Sequence, residues 1–184
     1  MHGFMNGETT KNNILEKFSL INTFVFDVDG VLTDGTLLVM PNGLMARRMN
    51  IKDGYALQLA VKKGYRVIII SGGNSPEVID RLNKLGVKEV YMQVTDKLSL
   101  LQKLIGTAEQ QQEHCLYMGD DIPDLACMKW AGVAVCPTDA VTEVKMVSYY
   151  ISDKNGGMGC VRDVIEKVMK LRNDWNEDFT LRAQ

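Results

Sequence analysis

The chain carries almost no net charge, formally −2 over 184 residues with a pI near 5.7. That near-balance excludes a global attraction to nucleic acid or to an anionic membrane, so any site for a phosphate must be built locally. Cysteine is scarce: Cys115, Cys127, Cys136 and Cys160 are all there are, and no two form a CxxC pair. This spacing excludes a disulfide framework or a zinc site and predicts reduced core thiols in a cytoplasmic protein. No apolar run approaches the length that spans a bilayer, and residues 1–17 lack the apolar stretch of a signal peptide. Internal repeats and low-complexity linkers are likewise missing, and 46% hydrophobic content suffices for one core. One domain is therefore expected over 1–184, with its core at about 20–172.

What the chain does have is organised around residues 24–35. Residues 24–27 are apolar, β-branched or aromatic until the first aspartate, which predicts a buried strand. Asp27 and Asp29 then stand two residues apart at the strand's end, and Gly30 permits a sharp turn. Two like charges so close call for a cationic partner, for which a hard divalent ion such as Mg²⁺ is suited. A carboxylate beside Mg²⁺ can also attack phosphorus. Taken alone, this pattern is equally that of an Asx-rich turn.

Along the chain, a short helix over 13–18 closes a polar lead-in. Two strand-like runs, 36–40 and 44–49, flank Pro41-Asn42-Gly43 and predict a β-hairpin flap over about 36–49. A helix over 55–63, capped by Asp53 and closed by Gly64, follows. Strands are then expected at 66–70, 89–92, 115–118, 133–136 and 149–151. They alternate with helices at 76–85, 96–105, up to 130–132, 140–146 and 161–171. Strands and helices in alternation give an α/β fold, a doubly wound parallel sheet with helices on both faces. The tail beyond residue 173 reads as loosely held.

Three polar clusters fall at the carboxyl ends of separate predicted strands: Asp27 with Asp29, Ser71 with Gly72, and Asp120 with Asp121. Lys97 joins them at a helix start. Each alone has an ordinary reading, Ser71 as a helix cap, Lys97 as a solvated lysine and the acids as loop residues. At one sheet edge, where ligands bind in open α/β sheets, they supply the parts of a phosphoryl transfer. Asp27 would be the nucleophile and Asp29 the general acid and then base. Ser71, nearby backbone N–H groups and Lys97 would hold the transferring oxygens. Asp27, Asp120 and the backbone carbonyl of Asp29 would bind Mg²⁺.

The sequence 27–35 (DVDGVLTDG), Ser71-Gly72-Gly73 after an apolar strand, a single Lys97, and Gly119-Asp120-Asp121-Ile122-Pro123-Asp124 resemble the four signatures of haloacid dehalogenase superfamily phosphatases. The likeness spans roughly residues 23–168. It implies the Rossmann-like haloacid dehalogenase fold, aspartyl-phosphate chemistry on Mg²⁺, and Asp121 and Asp124 behind the metal ligands. The gaps between motifs hold only a hairpin, two helices and a strand, so the chain resembles the members with no cap domain. Together with the flap and residues 156–163, residues 50–55 and 117–124 are similar to 3-deoxy-D-manno-octulosonate 8-phosphate (Kdo 8-phosphate) phosphatases. That likeness implies a phosphorylated sugar acid as substrate, contacts from Asn50, Lys52, Asp53, Gly54 and Arg81, and a homotetramer built through the flap. Many members carry Arg or a similar polar residue where this chain has Gly73-Asn74. That departure leaves a nonulosonic acid 9-phosphate as an alternative substrate. A phosphoaspartate receiver also uses Asp, Ser/Thr, Lys and an acidic pair, but there the acidic pair precedes the phosphoacceptor strand.

Overall fold

A computed structural model describes residues 7–41 and 43–181, with side chains from residue 14 onward. Six strands form one sheet in the order β5 (Glu89–Tyr91), β4 (Arg66–Ile70), β1 (Thr23–Phe26), β6 (Cys115–Met118), β7 (Val133–Cys136) and β8 (Tyr150–Ile151). Every pairing in it is parallel. β1 lies at the centre because its residues are apolar on both faces: all four are buried. Phe24 and Phe26 point to one core layer and Val25 to the other, the period-two alternation of a strand covered on both sides.

On the Phe24 face pack α1 (Gly7–Leu20), α2 (Ile51–Lys62), α3 (Pro76–Lys84) and α8 (Cys160–Leu171). The opposite face is covered by α4 (Lys97–Ile105), α6 (Leu125–Trp130) and α7 (Thr142–Val147), with α5 (Glu109–Glu113) short and exposed before β6. This is the doubly wound α/β arrangement the alternation predicts. Outside the sheet, β2 (Leu38–Val39) and β3 (Met45–Ala46) pair as the antiparallel flap. Its turn is closed by Gly43 N–H donating to Met40 O and Met40 N–H to Leu44 O; Asn42 of the expected Asn-Gly turn lies outside the described residues.

Three expectations need correction, and one helix was not expected. The first helix begins at Gly7 rather than near residue 13, and Ile14 and Phe18, one turn apart, anchor its second half on the core. The cap of α2 is Asn50, whose side chain accepts the Lys52 N–H at 2.8 Å; Asp53 sits in the first turn instead. Residues 174–181 are pinned: Tyr65 Oη donates to Asp174 at 2.7 Å, Lys62 pairs with Asp178, and Trp175 and Leu181 pack on the core. Helix α5 went unforeseen, because five polar residues show no apolar period. All four cysteines are buried and free, as their spacing predicts.

Candidate active site

The register of the sheet assembles the site. Phe26 of β1 aligns with Ile69 of β4 and Met118 of β6. The three strands therefore end together, and Asp27, Ser71 and Asp120 emerge at the same edge. Asp27 stays tied to β6 through its N–H to Met118 O, and Ser71 to β5 through its N–H to Tyr91 O. Gly30, at φ +87°, makes the turn after Asp29. A Cβ there would lie 2.0 Å from Asp120 Oδ2, so only glycine lets the first and last acidic loops approach. Asp96 caps α4 by accepting the Ser99 N–H and so fixes Lys97 at the helix start.

Eight of the predicted residues, Asp27, Asp29, Ser71, Gly72, Lys97, Asp120, Asp121 and Asp124, line one open cavity of about 300 Å³. Lys97 is 8% exposed, and its ammonium bridges Asp27 Oδ1 at 2.9 Å and Asp124 Oδ1 at 2.8 Å. The hydroxyl of Tyr117, buried in β6, donates to the same Asp124 oxygen at 2.8 Å. The other oxygen of Asp124 accepts the Asp120 N–H. Three accepted hydrogen bonds thus fix Asp124, which holds Lys97 and the Asp120 loop. Ser71 is not the cap of α3; Ser75 is. The Ser71 hydroxyl faces the cavity loop, accepting the Gly73 N–H at 3.1 Å.

Carboxylate oxygens of Asp27, Asp120 and Asp124 lie within 4.8 Å of one another. Burial, and after it the charge of Asp124, push Asp27 up to about 7 against the pull of Lys97. Burial and repulsion from Asp27, Asp124 and Asp121 push Asp120 to about 7 as well. Oδ1 of Asp120 is buried with no hydrogen-bond partner among the described residues. Crowded oxygens and an orphaned acceptor fit a hard divalent cation with oxygen ligands. The Asp29 carboxylate stands outside this trio. Asp121 caps its own turn through the Ile122 N–H, with its side chain exposed.

The five residues expected to touch substrate do not line this cavity. Asn50 caps α2 and donates to Gly157 O. Lys52 faces a separate groove beside α8. Asp53 is 1% exposed and accepts the Arg162 N–H at 2.7 Å, capping the first turn of α8, whose own cap, Gly159, has no side chain. Gly54 packs beneath Arg81, which a Cβ would approach to 3.2 Å. Arg81 lines a cavity of about 420 Å³ between flap and α3, and its Nε and Nη2 are buried with no hydrogen-bond partner among the described residues. The residue that sequence reasoning missed is Arg47. From the end of the flap it shares the Arg81 cavity and bonds both oxygens of Asp29, at 2.7 and 3.1 Å. Only a doubled arginine after an apolar strand marks it in the sequence.

The chain is similar in sequence and fold to several known proteins. Residues 87–165 match the model of the haloacid dehalogenase-like hydrolases. The 3-deoxy-D-manno-octulosonate 8-phosphate phosphatase of Yersinia pestis is 30% identical over 158 residues, 86% of this chain and 84% of that protein. Its crystal structure superposes with a TM-score of 0.84 at 29% identity, covering 89% of this chain and 88% of that one. The phosphatase of the same name from Moraxella catarrhalis, solved with magnesium, phosphate and Kdo, gives a TM-score of 0.82 at 34% identity over 89% of this chain and 94% of that one.

Proposed function

This chain belongs to the 3-deoxy-D-manno-octulosonate 8-phosphate phosphatase family of haloacid dehalogenase-like hydrolases, and from that premise we propose that it hydrolyses this ester to Kdo and phosphate, with Mg²⁺, in the supply of lipopolysaccharide precursor. The observation that carries the reading is Asp27, at the end of the central strand, held by Lys97 and crowded by Asp120 and Asp124.

Asp27, Asp120 and the Asp29 carbonyl would hold Mg²⁺, which would set positive charge against the phosphate and keep Asp27 ionised. Asp27 attacks phosphorus; the bond to the sugar oxygen breaks, and Asp29 gives that oxygen its proton. Water then attacks the aspartyl-phosphate, Asp29 takes its proton, and the electron pair of the breaking bond returns to Asp27. Ser71, the Gly72 backbone and Lys97 hold the phosphoryl oxygens, with Lys97 steadied by Asp124. The sugar body extends toward the cavity under the flap, where the Arg81 guanidinium in its wall pairs with the far carboxylate.

The flap leaves Leu38 64% and Val39 70% exposed. Apolar edges of this kind find a partner, which supports a homotetramer joined through the flap; sedimentation as a monomer at micromolar concentration would contradict it. The chain acts as a single cytoplasmic domain without a cap, on a small molecule rather than nucleic acid or membrane. Reduced, buried cysteines support that compartment, and no helix among the described residues is long and apolar enough to cross a bilayer.

A screen of sugar acid phosphates with Mg²⁺ tests the function. Kdo 8-phosphate is the expected best substrate. Gly73, which offers no side chain to the substrate, favours one second reading: preference for a nonulosonic 9-phosphate moves the chain to that substrate. Failure on every sugar acid phosphate overturns both.

A further inference from the structure

Arg47 follows the second flap strand, and its side chain, only 5% exposed, closes a fork on Asp29. Nε donates to Oδ1 at 2.7 Å and Nη2 to Oδ2 at 3.1 Å, while Nη1 reaches the Met45 carbonyl at 3.3 Å. All three nitrogens are engaged, so the guanidinium plane is fixed from the flap side and from the acid side. Room for it comes from Gly73. A Cβ at residue 73 would stand 3.0 Å from Asp29 Oδ2 and 3.1 Å from Arg47 Nη2, tighter than side chains ordinarily pack. The fork uses one lone pair on each carboxylate oxygen and sets the plane of the group. The remaining lone pairs are left to accept from a third molecule.

We propose that Arg47 is a positioning residue for the second half of the reaction, holding Asp29 as the base toward the water that cleaves the aspartyl-phosphate. The proposal rests on the covalent route above. In that half, the water oxygen bonds to phosphorus, the phosphorus–oxygen bond to Asp27 breaks with its electrons returning to Asp27, and the water proton passes to Asp29. A carboxylate free to rotate loses the aligned approach that makes such a transfer fast. The first half asks less of the fork. Asp27 is aimed by Lys97, and a leaving group such as p-nitrophenolate departs without needing a proton. Removing Arg47 therefore slows dephosphorylation more than phosphorylation, and the phosphoenzyme accumulates. Because Arg47 is rooted in the flap, any displacement of the hairpin reaches the same carboxylate.

Rapid-quench kinetics with p-nitrophenyl phosphate and Mg²⁺ measure both halves, as the burst of p-nitrophenolate and the acid-trapped phosphoenzyme. Arg47→Ala should lower the steady-state rate roughly ten- to a hundredfold, the loss expected of a charge-assisted pair. Its burst should rise toward one per site. Arg47→Lys, a point charge without the fork, should recover part of the rate. Gly73→Ala, which keeps Arg47 but crowds the pair, should shift the partition the same way by less, and it carries the test alone if Arg47 variants fail to fold. Equal slowing of both halves in Arg47→Ala, with no rise in phosphoenzyme, overturns the proposal. Asp29→Asn separates the two claims. If it traps no phosphoenzyme, the covalent route fails and the proposal with it. If it traps phosphoenzyme while Arg47→Ala and Gly73→Ala do not, only the role of Arg47 falls.

Discussion

Lys97 Nζ lies 2.9 Å from Asp27 Oδ1, and both side chains are about nine-tenths buried, at 8% and 10% exposed. The lysine at the first position of α4 therefore fixes one oxygen of the residue that directly follows β1. An amide at residue 27 keeps the shape but cannot attack phosphorus. Asp27→Asn should abolish turnover while leaving the circular dichroism spectrum and melting curve close to wild type. Activity above a few per cent would show that water attacks phosphorus directly. Asp29→Asn should hurt a sugar phosphate more than p-nitrophenyl phosphate in the burst phase, because only the poor leaving group needs a proton. Equal losses in that phase would remove the acid role.

Chelation should silence the enzyme and Mg²⁺ restore it, with Ca²⁺ a weak replacement. Ca²⁺ takes more oxygen ligands at longer distances and draws in both oxygens of a carboxylate, which would occupy the nucleophile. Asp120, with its orphaned Oδ1, should be the ligand whose loss shows most in metal affinity: Asp120→Asn should weaken Mg²⁺ binding by at least tenfold in calorimetric titration. Unchanged affinity in that variant, or full turnover in Ca²⁺, would contradict the donor set.

Asp53 links α2 to α8 and gives a pH dependence of known sign. Burial raises its pKa from 3.8 to about 6, opposed by the N–H groups of Arg162 and Gly159. The folded protein thus holds a proton on Asp53 more tightly than the unfolded chain does. The stability this provides is complete below about pH 4 and lost as pH rises through about 6. At roughly 1.4 kcal/mol per unit the loss is about 3 kcal/mol at most. Asp53→Asn, which keeps an acceptor for Arg162, should remove that component, so its melting temperature relative to wild type should climb from pH 4 to pH 7. A constant offset across that range would show that Asp53 stays ionised throughout.

Arg81→Ala should raise KM for Kdo 8-phosphate roughly ten- to a hundredfold, as expected for one charge-assisted bond. The rise with p-nitrophenyl phosphate should be much smaller, because that substrate has no carboxylate. Lys52, in the groove beside α8, should be replaceable by alanine without the same selective loss. Parallel losses on both substrates in Arg81→Ala would assign Arg81 to the fold.

The sequence by itself determined the sheet and its reacting edge. Strand period, glycine and proline punctuation and the placing of Asp27, Ser71, Lys97 and Asp120 are local signals, each written within a few residues, and parallel pairing then aligns the strand ends. What tertiary structure decided is how side chains far apart in the chain are used. Asp53 looks like a cap for its own helix and instead caps α8, because Asn50 had already taken the nearer N–H and Gly159 brought no acceptor. Arg81 and Lys52 look interchangeable as cations, yet helix packing sends them to different cavities. Arg47 reaches Asp29 only because the flap folds back over an edge where residue 73 has no side chain. Such pairings depend on the direction and length of individual side chains across a packed interface, and no period in the sequence records them.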